Sequence, residues 1–143
     1  MKLFPAEINL NEFEIEEVSI NFKGKKSEIK KLDLTPENID FNFNVRKKRA
    51  KNEYKINFSL DIEMQKLLSI TVRGFATYEF PGGFQREKVD AYLFGNVIPS
   101  IYITLRGILL MLTYNSPKRI VLPVVNFFKS YKENKEYKEN KES

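Results

Sequence analysis

The side chains that most often do chemistry are absent from this sequence or scattered along it. It contains no Cys and no His. Thiolate nucleophiles, disulfides and Ser–His or Cys–His pairs are therefore excluded, along with the commonest general base and transition-metal ligand. A zinc site would need carboxylates alone, and no D-x-[DN]-x-[DN]-G loop is present. We assign no metal ligand and no cofactor. The carboxylates close together in sequence are Glu14, Glu16 and Glu17, and the pair Asp61 and Glu63. Asp61 and Glu63 share the polar parity of a strand, where a solvated outer face is the ordinary explanation. No carboxylate pair stands among apolar residues as a glycosidase-type dyad requires. No catalytic residue is assigned, and the chain reads as a non-enzyme.

The densest charge is Arg46-Lys47-Lys48-Arg49-Ala50-Lys51, in a chain of formal net charge +5. As a phosphate-binding patch it would make this a nucleic-acid-binding protein, the alternative reading. The run lies between two alternating segments, where a hairpin connection belongs. The aromatic platforms of RNA-binding modules are not recognisable beside it. A solvated loop that keeps a sheet end soluble is the preferred explanation. Pro81-Gly82-Gly83 lacks any phosphate-cradling pattern and reads as a turn.

Four segments read as strands. Phe13 to Phe22 changes parity between Ile15 and Val18, which predicts a bulge. Phe41, Phe43 and Val45 alternate with asparagines. Tyr54 to Met64 alternates without a break. Leu68 to Phe80 places Leu68, Ile70, Val72, Ala76, Tyr78 and Phe80 on one face and Phe75 on the other, with a kink expected at Gly74. Gly24 to Asp40 is a long polar connection.

After a short approach from Arg86 to Gly95, helical near Val89 to Phe94, a long helix is expected from Pro99 to about Tyr114. Ile98, Ile101, Tyr102, Leu105, Ile108, Leu109 and Leu112 form its stripe, and Asn115-Ser116-Pro117 ends it. Pro123 keeps Ile120–Val124 out of a central strand, so a buried crossing or an edge is expected. Asn126 is placed as the N-cap of a last helix, with Phe127, Phe128 and Tyr131 packing inward. The uncharged run Ala91 to Leu105 contains Gly95, Asn96 and Pro99 and falls short of the ~20 apolar residues of a membrane span. The start, MKLFPAEINL, shows no signal peptide, and a cytoplasmic protein is expected. At 143 residues the reading is one α+β domain over residues 1–131. A charged tail follows over residues 132–143, carrying most of the repeat YKENKE-YKENKE.

A four-stranded antiparallel sheet followed by a long helix, a Pro-containing crossing and a C-terminal helix resembles the SecB family of protein-export chaperones. Val121-Leu122-Pro123-Val124-Val125-Asn126-Phe127 looks like that family's L-A-P-V-N-F segment with the Pro one place earlier. Pro99 and Arg106 in one helix, followed by Asn115-Ser116-Pro117, are similar to its helix and turn. Ser19-Ile20-Asn21-Phe22-Lys23 matches its first-strand D-I-S-F-E pattern at the apolar positions. The resemblance implies an ATP-independent holdase that binds unfolded or non-native polypeptides in an aromatic and aliphatic groove, for protein export or beside a toxin–antitoxin pair. It also implies a homo-oligomer, a dimer of dimers.

For the groove we select Phe22, Phe41, Phe43, Phe75, Tyr78, Phe80, Phe84, Ile120 and Leu122. For the subunit interface we select Ile103, Arg106, Leu110 and Met111, of which Ile103, Leu110 and Met111 lie off the main helical stripe. The family's acidic residues that help dock the motor SecA are replaced by Ser19 and Lys23, so a SecA partnership is not carried over.

Overall fold

The computed structural model describes residues 1–3, 8–48, 52–127, 129 and 130. The chain divides into two compact units, Met1–Phe84 and Gln85–Ser143, where the sequence reading expects one domain over residues 1–131.

The first unit is an antiparallel sheet of β1 (Asn9–Phe22), β2 (Ile39–Lys48), β3 (Glu53–Met64) and β4 (Leu68–Glu79), in spatial order β1-β4-β3-β2. The last three follow one another as hairpins and β1 lies beside β4, a Greek-key order. Register explains the segregation of the two faces. Val18, Val72, Leu60 and Phe41 form one row across the sheet, and Ile15, Gly74, Phe58 and Phe43 the next. The opposite face carries Glu14, Glu17, Thr71, Arg73, Asn57, Ser59 and Asp61, with Phe75 among them. The expected bulge in β1 falls between Ile15 and Glu17, and a second register shift lies between Leu10 and Glu12. The first shift has a clear result: Phe13 and Ile15 share a face with Val18, Ile20 and Phe22 despite their opposite parity.

Gly74 differs from expectation. β4 runs unbroken through it, and the glycine serves close approach instead. A Cβ there would collide with the backbone oxygen of Glu14 and lie 2.9 Å from the Phe58 ring. The turn after β3 also has a special backbone. Gln65 and Lys66 both have positive φ, 47° and 59°, and Leu67 N–H donates to Met64 O at 2.8 Å. That is the type I′ pattern that Asn-Gly fills most easily. The long polar connection from β1 to β2 contains a short helix, α1 (Lys26–Lys30), and a 3-10 turn at Pro36–Asn38. Ile29 and Leu32, three residues apart, are both buried.

The second unit is built on a helix longer than the sequence suggests. α2 (Arg86–Tyr92) continues through a π turn at Leu93–Val97 into α3 (Ile98–Leu112). Pro99 therefore lies inside a continuous run and does not begin a separate helix. Proline has no N–H to return to the preceding turn and its ring crowds the carbonyl there, and a locally widened π turn absorbs both defects. The joined run Glu87–Leu112 has 26 residues and a hydropathy of 1.5, long and apolar enough by length and composition to cross a membrane, with 39% of its apolar window buried inside the protein. The sequence reading finds no stretch of that length because it counts uncharged residues and stops the run at Arg106, whereas the helix runs on through that charge.

Ile98, Ile101, Tyr102, Leu105 and Leu109 form the buried stripe. Leu112, expected on it, is 54% exposed because the helix ends there. Asn126 caps the next turn as expected, its Oδ1 accepting from Lys129 N–H at 3.0 Å. Phe128, Tyr131 and the repeat tail lie outside the described residues.

Candidate peptide-binding surface

The apolar face of the sheet is dry at its centre and open at its flanks. Ile56, Phe58, Leu60 and Ile62 of β3 and Leu68, Ile70, Val72 and Ala76 of β4 are buried. The outer strands are less covered: Phe41, Phe43 and Val45 of β2 and Phe13, Ile15, Ile20 and Phe22 of β1 are all half-buried. Period-two alternation lifts these side chains to one face, and their distance from the central strands leaves them partly in solvent.

The selected groove residues separate into groups. Phe41 and Phe43 are neighbours on β2, with ring centroids 6.1 Å apart. Phe22 is on the same face, but β4 and β3 stand between β1 and β2. Tyr78, half-buried, lies opposite Tyr54 at the other end of the sheet. Phe80 is buried, its ring 5.2 Å from both Tyr54 and the half-buried Phe84. Phe75 is on the polar face, half-buried under the Lys55 ammonium, which stands 4.3 Å from the ring centroid. Ile120 and Leu122, in the second unit, are fully buried, so the structure gives them to the core and not to an open groove.

What the sequence reading missed are exposed apolar groups elsewhere. Leu10 and Val18 on β1 and Val121 and Val124 in the crossing are all exposed. A parity count gives the face on which a strand residue lies, not whether anything covers it there.

The crossing of the second unit is pinned by side chains. Arg106 Nε donates to Leu122 O at 2.9 Å and Tyr102 OH to Pro123 O at 2.7 Å. Ile120 N–H donates to Thr113 Oγ1 at 2.8 Å, and Thr113 Oγ1 donates to Leu109 O at 2.7 Å. Tyr102 also meets Phe127 edge-on, with centroids 5.1 Å apart. Burial raises the Tyr102 pKa above 10.0, against the pull of the nearby Arg106 charge. Arg106, selected for a subunit interface, thus has a definite role inside its own chain. Ile103 and Met111 are 65% and 78% exposed and Leu110 is also exposed, so their own chain leaves them uncovered.

Two other regions contribute little. In the basic run, Lys48 Nζ lies 3.0 Å from Glu53 Oε1 and Lys47 Nζ 5.9 Å from the Tyr54 ring, while Arg49, Ala50 and Lys51 lie outside the described residues. A shallow cleft of about 480 Å³ is lined by Glu28, Lys31, Leu32, Asp33, Asn38, Glu63, Met64 and Gln65 and includes none of the selected aromatics. Among the described residues no group of three or more His, Cys, Asp or Glu is placed to hold a metal ion.

The class is therefore α+β: a Greek-key antiparallel sheet with half-exposed aromatics on its outer strands, followed by a long helix and a pinned crossing. More particularly, the fold is similar to that of a SecB-like chaperone of Mycobacterium tuberculosis, whose structure was solved in complex with a ChAD peptide from the HigA1 antitoxin. The two share 13% sequence identity with a TM-score of 0.62, over 84% of this chain and 88% of that one. A protein of unknown function from Streptococcus agalactiae also aligns, at 13% identity and a TM-score of 0.41, over 84% of this chain and 98% of that one. No family model matches the sequence, and no curated protein matches it.

Proposed function

We propose that this protein is an ATP-independent holdase of the SecB type, which binds extended apolar segments of non-native polypeptides and keeps them from aggregating. The observation that carries the reading is the row of half-buried aromatics on an outer strand, Phe41 and Phe43, in a fold shared with a chaperone described with a bound peptide. The step from fold to function is an analogy, since one fold can serve many functions. The physics of the surface supports it. Rings offer large contact area at low rotamer cost, which suits a site that must accept many sequences. Neither catalysis nor a cofactor enters this reading.

Assembly follows from the uncovered helix face. A second copy would bury Ile103, Leu110 and Met111, since an exposed apolar stripe of this kind marks an interaction site, and the assembly in this reading is a dimer of dimers acting in the cytoplasm. With Ser19 and Lys23 in place of acids, the reading includes no SecA docking, and service to a toxin–antitoxin pair fits better than general export. Nucleic-acid binding is not favoured, because Lys47 and Lys48 already have partners within the chain.

The test is suppression of aggregation of a chemically unfolded client, read by light scattering. The expected result is suppression near stoichiometric tetramer, with Phe41→Ala/Phe43→Ala weakening client affinity about tenfold, as expected for lost aromatic burial. A monomer without effect at molar excess would refute the reading. Met111→Lys should shift the oligomer toward smaller species.

A further inference from the structure

Charge is not spread evenly over the polar face of the sheet. Across the order β1-β4-β3-β2, three successive polar rows read Glu12-Thr77-Lys55-Arg46, Glu14-Phe75-Asn57-Asn44 and Glu17-Arg73-Ser59-Asn42. The carboxylates of these rows, Glu12, Glu14 and Glu17, all stand on β1, and the cations, Arg73, Lys55 and Arg46, stand on the other strands. This segregation leaves charges unpaired. Glu17 meets Arg73 at 3.7 Å, and the Lys55 ammonium lies over the Phe75 ring. Glu12, Glu14 and Arg46 are exposed, and among the described residues they form no ion pair.

A lone apolar group on a surface needs no explanation by itself. Phe75, however, stands half-buried in the middle row, at the boundary between the acidic and the basic side of the face. A two-fold axis laid along the strands at that boundary, between β4 and β3, sets a second copy's polar face on the first with β1 over β2 and β4 over β3. The halves then match row by row. Glu12 faces the other copy's Arg46, Glu14 its Asn44, Glu17 its Asn42 and Phe75 its Asn57, with the two Phe75 rings on either side of the axis. No carboxylate in these rows faces a carboxylate and no cation faces a cation. An axis across the strands would instead set β1 over β1, acid against acid. Beyond the three rows the face turns acidic, with Asp40 and Asp61 toward one end and Glu53 and Glu79 toward the other. Stacked sheets cross at about 30° because each is twisted, which carries both ends apart and keeps contact on the balanced centre.

We propose that the polar sheet face is a self-association surface, on which a second copy of this chain stacks face to face about an axis along the strands. Phe75 forms its centre, and Glu12 and Glu14 of each copy meet Arg46 and Lys55 of the other. Exposed ion pairs contribute little each, so the contact is weak and concentration-dependent. Its charge pattern sets orientation more than strength. The surface uses neither Phe41 and Phe43 nor Ile103, Leu110 and Met111, and so stands apart from the holdase reading.

The test is a charge exchange between full-length variants, with self-association read by sedimentation velocity over a range of concentration. Wild type should show an association step that weakens about tenfold or more from low to high salt, since screening acts on exposed charge pairs. Glu12→Lys/Glu14→Lys alone and Arg46→Glu/Lys55→Glu alone should each lose that step while keeping cooperative thermal unfolding. An equimolar mixture of the two should regain it, because each reversed half then meets its complement. Phe75→Ser, which reverses no charge, should weaken the step about tenfold, and Met111→Lys should leave it in place. The proposal is overturned if the polar-face variants associate alone as wild type does, if the folded variants fail to associate on mixing, if Met111→Lys removes the step, or if wild type shows none. Protection of this face in hydrogen exchange by a Lys-rich peptide, without self-association, would overturn it in favour of a basic partner. Suppression of client aggregation does not depend on these outcomes, so the holdase reading is tested separately.

Discussion

β1 and the crossing from Arg119 to Asn126 are held by different means. β1 is laid against β4 by a backbone ladder, so the polar groups on its inner edge are satisfied by another main chain and its position depends on shape. Gly74 lets the chain at Glu14 and Ile15 come close, and the Phe58 ring lies over the same spot, stacked on Phe13 with centroids 5.5 Å apart. The crossing has no ladder. Its backbone is tied by Arg106, Tyr102 and Thr113, three side chains of one helical segment and its end. A regular element can be fixed by packing, whereas an irregular buried one needs a side chain for each polar group it hides.

Substitutions should separate the two modes. The largest effect is expected at the seam: Gly74→Ala should cost about 3 kcal/mol, because the added methyl meets backbone that cannot rotate away, read by chemical denaturation. If the loss is small, the approach of β1 to β4 is more pliable than the structure implies. At the crossing, Thr113→Val keeps the shape but leaves the buried Ile120 N–H without an acceptor, for a loss of about 2 kcal/mol. Hydrogen exchange at Ile120 should rise with it.

Tyr102→Phe should cost about 1 kcal/mol for the bond to Pro123 O, and it should also change the alkaline limb of stability. The Tyr102 pKa is raised in the folded state above 10.0. The unfolded chain therefore releases this proton first. The associated stability is complete below pH 10.0 and is lost as pH climbs through the folded value. Phe at this position should flatten that loss, as measured by denaturation across the alkaline range. The smallest effect returns to the sheet: Lys66→Gly should stabilise by about 1 kcal/mol by removing a side chain from the left-handed region, raising the melting temperature.

Much of this was legible beforehand. Period-two alternation gave all four strands, the parity change in β1 gave the Ile15–Glu17 bulge, and the stripe from Ile98 to Leu109 gave the buried face of α3. Asn126 was legible as a cap because its side chain acts on residues next to it. The errors share a cause. Pro99 opens the long helix by the local rule for a helix's first turn, but the helical run continues from α2 into α3 through a π turn. Gly74 suggested a kink because its neighbours across the sheet could not be seen. Ile120 and Leu122 were placed in a groove, yet periodicity cannot distinguish an apolar side chain facing a client from one facing its own core.

By itself, then, the sequence determined which side-chain types are missing, Cys and His, the α+β order of its elements and the apolar parity of each strand. These depend on residue types and short spacings. Which aromatics remain half in solvent and which side chains tie down the crossing were decided only by tertiary structure. Each depends on register between segments distant in sequence, and no local pattern encodes that.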